Sequence, residues 1–155
     1  MTNSTLSNTL SPLSKEHVDG LNFASRIRKG LHLHVKLERL REYTLWYWTE
    51  HIRPHFFQEE KMLMPWLPAG HALLTRVKDE HHYIRELVLA IDEEAENRTL
   101  ALLADLIEDH IEFEENILFP YLAGTLDKDL VDKIGQMIDK HPLKQIEWKD
   151  RFWEE

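Results

Sequence analysis

The 155-residue sequence contains no cysteine. That excludes disulfides, thiolate metal sites and cysteine nucleophiles, and it fits a reducing compartment. Glycine and proline are scarce, at five and six residues, and runs of β-branched residues are missing. No stretch approaches the roughly 18 apolar residues of a membrane span. Positive charge is in deficit, with 19 Lys and Arg against 28 Asp and Glu and a net charge of −9. Such a chain repels phosphate backbones and anionic lipid surfaces, so neither nucleic acid nor a membrane is expected as a partner. The first 14 residues are rich in Ser, Thr and Asn and lack the basic end and apolar block of a signal peptide. The expected location is cytoplasmic. No Gly-rich phosphate loop and no Ser/His/Asp arrangement stands out.

What is present reads as helix. Hydrophobic residues make up 43% of the chain, enough for the core of one domain. Leu, Glu, Lys, Arg and Ala dominate the long stretches between prolines, which indicates an all-α fold. The pattern predicts a flexible arm over residues 1–12. A first helix is capped by Ser14 and stops at Gly30. A second spans 33–64, kinked or broken at Pro54 and ended by Pro65. A third spans 70–96, and a fourth spans 100–119 and stops at Pro120. A fifth opens at Thr125 or Asp127 and ends near Lys140, before Pro142, and the tail from Leu143 adds a last turn or two. Four long helices with short connections make an antiparallel up-down bundle over residues 13–124. Residues 125–155 form an additional helical extension of the same domain.

One motif is written twice. Residues 55–67 read HFFQEEKMLMPWL and residues 110–122 read HIEFEENILFPYL, with six positions identical. Upstream, Lys15-Glu16-His17 echoes Asp79-Glu80-His81. The order is therefore His, then His-x-x-x-Glu, twice. Positions i and i+4 share one helix face, so His55 points with Glu59 and His110 with Glu114. Leu103, Leu106, Ile107, Phe113 and Ile117 surround the second pair, and Trp48, Ile52 and Met62 surround the first, whose face also carries the polar His51 and Gln58. Leu13, Leu21 and Ala24 flank His17. Leu74, Val77, Ile84 and Val88 flank His81. Both glutamates are thus expected on mostly apolar faces. A buried carboxylate without a partner is costly, and a cation is the simplest compensation. Protonation or an inward-reaching Lys78 or Arg85 remains an alternative. Four imidazoles with two carboxylates suit first-row metals, and iron, manganese and zinc all accept such a set. The aromatic-rich second helix (Trp46, Tyr47, Trp48, Phe56, Phe57) reads as core packing, and Glu60 and Glu115 as surface pairing.

At these residues the sequence resembles the hemerythrin-like, HHE cation-binding family, over residues 13–122. The resemblance implies a four-helix bundle holding two iron ions, oxo- or hydroxo-bridged, with manganese or zinc as substitutes. It implies His17, His55, Glu59, His81, His110 and Glu114 as metal ligands, with both glutamates bridging, and O2, NO or another small molecule as the partner. Hemerythrins proper carry a His-x-x-x-His pair on the third helix and an aspartate five residues after the fourth-helix histidine. Here Val77 and Arg85 stand four residues from His81, and Glu114 stands four residues after His110. That departure shifts the reading from oxygen carrier to a di-iron site with a small-molecule or iron-responsive role. His51, one turn before His55, is a candidate fifth imidazole. Two other readings stay open: a di-iron oxidase or peroxidase-like enzyme, and a metal-free helical interaction protein. Ferritin-like oxidases use Glu-x-x-His, the reverse order, which favours a binding protein over an enzyme.

Overall fold

The computed structural model of the chain describes residues 11–139 and 147–155. The expected arm lies outside these residues up to position 10, as do Lys140 and Pro142. Among the described residues there is no strand. Helix α1 spans Ser11–His32. The second rod is composite: α2 (Leu37–Tyr47), a π turn (Trp48–Ile52), α3 (Arg53–Gln58), a second π turn (Glu59–Leu63) and a closing 3-10 turn (Met64–Trp66). Helix α4 spans Ala72–Glu93. The fourth rod joins α5 (Asn97–Phe113), a π turn (Glu114–Leu118) and α6 (Phe119–Thr125). Helix α7 spans Lys128–Asp139. The four rods close a ring, α1 against α2 and α5, and α4 against α2 and α5. The fold is the expected antiparallel bundle with an additional C-terminal helix.

Several boundaries differ from expectation for identifiable reasons. Pro120 does not stop the fourth rod. The Phe119 N–H bonds back to the Glu114 carbonyl, five residues away, and this wider turn makes room for a ring that would otherwise strike the carbonyl four residues earlier. The same device recurs before Pro54, where Arg53 bonds to Trp48, and before Pro65, where Met64 bonds to Glu59. Pro54 therefore produces a π turn rather than a break. Helix α4 starts at Ala72 rather than Gly70, because Gly70 has φ of +80°, a left-handed conformation that glycine tolerates and a helix does not. Ser14 lies inside α1, which begins at Ser11. Asp127, not Thr125, caps α7: its Oδ1 accepts from the Leu130 N–H at 2.9 Å.

Gly30 is not a stop signal either. Helix α1 runs past it to His32, and the turn is made by His34 in the left-handed region (φ 56°) and by α2 starting late, at Leu37. Gly30 is a close approach. A Cβ there would lie 2.5 Å from Leu40 Cδ2 and 2.8 Å from Phe152 Cε1. Phe152 belongs to the C-terminal segment, whose single 3-10 turn (Phe152–Glu154) docks on α1. Arg39 fixes this segment by forking onto Asp150, at 2.9 and 2.6 Å, and onto Glu155 at 2.9 Å.

The core falls into two apolar clusters. One holds Phe23, Ile27, Leu40, Tyr43, Ile84, Leu103 and the tail's Phe152. The other holds Leu13, Leu63, Val77, Phe113, Leu122 and α7. On the first and third rods the boundary between them falls at the predicted histidines, and on the second and fourth it falls just after them, beyond Phe56 and Ile111. Leu13 and Phe23 bracket His17, Ile52 and Met62 bracket His55, Val77 and Ile84 bracket His81, and Ile107 and Leu118 bracket His110.

Gly30→Ala tests the docked tail. Helix propensity alone would stabilise this variant by about 1 kcal/mol. Overpacking against Leu40 and Phe152, both fully buried, costs about 1–3 kcal/mol. Urea denaturation should show a net loss of stability; a gain would mean the tail does not pack there.

Candidate metal centre

All six predicted site residues converge between the two clusters, and all six are buried, Glu59 and Glu114 completely. They form two groups, each with its donor atoms within 4.8 Å of one another. One is His17, His55, Glu59 and Glu114; the other is Glu59, His81, His110 and Glu114. The two glutamates belong to both. Each stands at the first position of a π turn, so the turn that carries the chain past a proline also sets the glutamate. Glu114 Oε1 lies 2.8 Å from His17 Nε2, and Glu59 Oε1 lies 3.1 Å from His81 Nε2. Across the same space, His55 Nε2 stands 3.4 Å from Glu59 and 3.9 Å from Glu114, and His110 Nε2 stands 3.3 Å from Glu114 and 4.0 Å from Glu59.

Every one of the four imidazoles donates its other N–H to a carboxylate. The Nδ1–H of His17 reaches Glu115 at 2.7 Å, that of His55 reaches Glu16 at 2.9 Å, that of His81 reaches Glu60 at 2.8 Å and that of His110 reaches Glu80 at 2.6 Å. This directs each Nε2 at the centre, where the neutral ring would offer its lone pair to a cation, the arrangement that orients histidine on metals. Glu60 and Glu115 are therefore not surface pairs, as their position beside the buried glutamates suggested; they are half-buried partners of His81 and His17. The duplicated acids were visible in the sequence. Glu16 and Glu80 each precede a predicted histidine, and Glu60 and Glu115 each follow a predicted glutamate.

A metal suits these residues on a direct observation. His55 Nε2, His110 Nε2, Glu59 Oε2 and Glu114 Oε2 are buried and have no hydrogen-bond partner. Buried polar atoms are normally satisfied. Four orphaned nitrogen and oxygen donors facing one space satisfy a cation better than they satisfy one another. A family model described as the hemerythrin HHE cation binding domain matches residues 8–122. The chain belongs to that family. No curated protein and no solved structure matches the chain.

The neighbourhood of this HHE centre is asymmetric. Phe56 stacks on His81 at 3.7 Å, and Phe119 stacks on His17 at 5.5 Å. Ile84, three residues after His81, is buried, whereas the position three residues after His17 is Gly20. On that side lies a cavity of about 40 Å³ lined by His17, His55, His110, Gly20, Tyr47 and His51, among others. His51 is outside both donor groups and stacks on Tyr47 at 4.7 Å. Three predicted core residues turn out exposed: Leu21, Phe57 and Ile117. Ile117 is displaced because the π turn shifts the register of the helix face, which brings Leu118 inward instead. His82 is exposed, as its angle of about 100° from His81 predicts.

Electrostatics bind the centre together, with no buried Lys or Arg among the described residues. Burial by itself would depress the histidine pKa values. The hydrogen bonds that His17 donates to Glu114 and Glu115 outweigh burial, and those that His81 donates to Glu59 and Glu60 outweigh it there, so both are raised. At His55 burial is outweighed chiefly by the charge of Glu59, leaving it well above the usual value. At His110 burial is outweighed chiefly by the charge of Glu114, lifting it to about 10. Burial would push Glu114 up, but His110, Glu59 and His17 hold it well below the usual carboxylate range.

The raised histidines make the stability of the metal-free protein depend on pH. A histidine with a raised native pKa stabilises the fold fully below its unfolded value near 6.5, and that contribution is lost as pH rises through about 10. In the presence of a chelator, denaturation at about pH 6.5 and at about pH 9.5 should show lower stability at the higher pH. The loss should be at least about 1.4 kcal/mol, the value of one pKa unit. Metal-loaded protein should not lose stability over this range, because metal binding displaces these protons. Equal stability of the chelated protein at both values would contradict the network.

Proposed function

We propose that this HHE domain is a two-metal protein, iron being the preferred ion, that binds or senses a small ligand such as O2 or NO. The observation that carries this reading is that two donor groups share the same two buried glutamates. A pair of carboxylates common to two pairs of histidines is what two adjacent ions require, and the nitrogen and oxygen donors suit first-row metals. In this reading His17 and His55 hold one ion, His81 and His110 the other, and Glu59 and Glu114 bridge them. Bound iron would supply a redox-active centre with affinity for diatomic ligands. The chain's own contribution is to orient the imidazoles through Glu16, Glu60, Glu80 and Glu115. It also excludes water on the Ile84 side and leaves room on the Gly20 side. A space of about 40 Å³ accommodates a diatomic or a water but not a large organic substrate, which favours ligand binding over turnover of a bulky molecule. Among the described residues no helix is long and apolar enough to cross a membrane.

Metal analysis of protein expressed with iron should give about two ions per chain, the capacity of a bridged pair. His55→Ala and Glu114→Ala should each lose metal while remaining helical. Glu80→Gln, which leaves the donor atoms intact, should weaken retention by about 10–100-fold. Folded, metal-free wild-type protein under those conditions would contradict the proposal. Adding O2 or NO to the reduced protein separates the roles. A reversible optical band supports binding, and rapid irreversible oxidation with turnover of an added substrate supports an enzyme.

A further inference from the structure

Where the C-terminal segment crosses α1 and α2 it leaves a groove of about 450 Å³, within the range of sites for small organic ligands. Its walls are flat rings. Trp46 and Trp148 lie 5.1 Å apart, and Tyr43 lies 5.6 Å from Trp153. Such faces hold planar molecules by stacking. The groove also carries unused donors. Arg26 lies 4.0 Å over the Trp153 ring and makes one long contact, 3.5 Å, to the Tyr43 hydroxyl. Among the described residues it has no carboxylate partner, whereas Arg28, Arg39 and Arg41 are each held by two acidic residues. The indole N–H of Trp148 is buried and lacks an acceptor among the described residues. A core that merely pinned the tail would satisfy these donors.

We infer that this groove is a binding site for a planar aromatic molecule bearing an anionic group, the ring lying against Trp46 and Trp148 and the anion on Arg26. Asp19 and Glu147 also line the groove, and with the aromatic walls they would otherwise suit a cation. Arg26, however, already covers the ring face of Trp153 that a cation would take. An incoming cation meets that charge, and an anion is paired by it. The site is separate from the HHE centre, but Asp19, Tyr47 and His51 line both the groove and the small cavity beside the histidines. A bound ring would stand one layer of side chains from that cavity.

The test titrates the full chain with flavin mononucleotide, with riboflavin as the ring-matched control without phosphate, and with proflavine as a planar cation. Binding is followed by quenching of tryptophan and ligand fluorescence. It is measured with and without a chelator, so that failure of the metal reading does not affect the outcome. Saturable binding of flavin mononucleotide at one per chain is expected, with riboflavin weaker by about tenfold or more, the worth of one charge-assisted contact. Arg26→Gln should abolish that difference, Arg26→Lys should retain part of it, and Trp46→Ala should weaken both flavins. Absence of saturable binding, equal affinity for the two flavins, tighter binding of proflavine, or indifference to Arg26→Gln would overturn the inference.

Discussion

Two carboxylates, Glu59 and Glu114, lie at zero exposure in the middle of a helical bundle with no lysine or arginine paired to them among the described residues. The rest of the structure is arranged around that fact. Charges so placed are tolerable only when something positive faces them. Here that is four imidazoles, each held in turn by a partly exposed carboxylate. The chain of contacts runs from solvent-facing acid to histidine to buried acid, and it does so four times with near two-fold symmetry. The apolar core is divided by this layer rather than continuous through it. A protein selected for stability alone would gain by filling the layer with packed hydrocarbon.

The backbone serves the same layer. Each rod that carries a glutamate turns through a π segment that starts at that glutamate and ends just before a proline. The π turn at Glu114 lets the fourth rod continue past Pro120, whereas the one at Glu59 leads into the closing 3-10 turn around Pro65. They also reset which side chains face inward on the far side, so Leu118 rather than Ile117 is buried. Wider turns of this kind are often found at functional sites.

Much of the centre was legible because its chemistry is written at fixed spacing. His55 with Glu59, and His110 with Glu114, share a face on any helix, and their duplication marked them out from ordinary core histidines. His17 and His81 followed from the repeated order. The outer carboxylates were legible only in part. Glu16 and Glu80 sat in a visible echo, but residues adjacent to a ligand point about 100° away from it on their own helix. Their role appears only when the neighbouring rod is in place: Glu60 meets His81 of α4, and Glu115 meets His17 of α1. Local rules failed at Pro120 and at Gly30. A proline normally ends a helix and a glycine often does, yet here one is absorbed by a π turn and the other is required by the packing of Leu40 and Phe152. Neither could be read before the long-range partners were known.

In the proposed centre two ions share the two glutamates. Anomalous diffraction at the iron edge from crystals of iron-loaded protein tests it most directly. Two peaks about 3.5–4 Å apart are expected, both within bonding distance of Glu59 and Glu114, one beside His17 and His55 and the other beside His81 and His110. A single peak, or peaks away from the two glutamates, would contradict it.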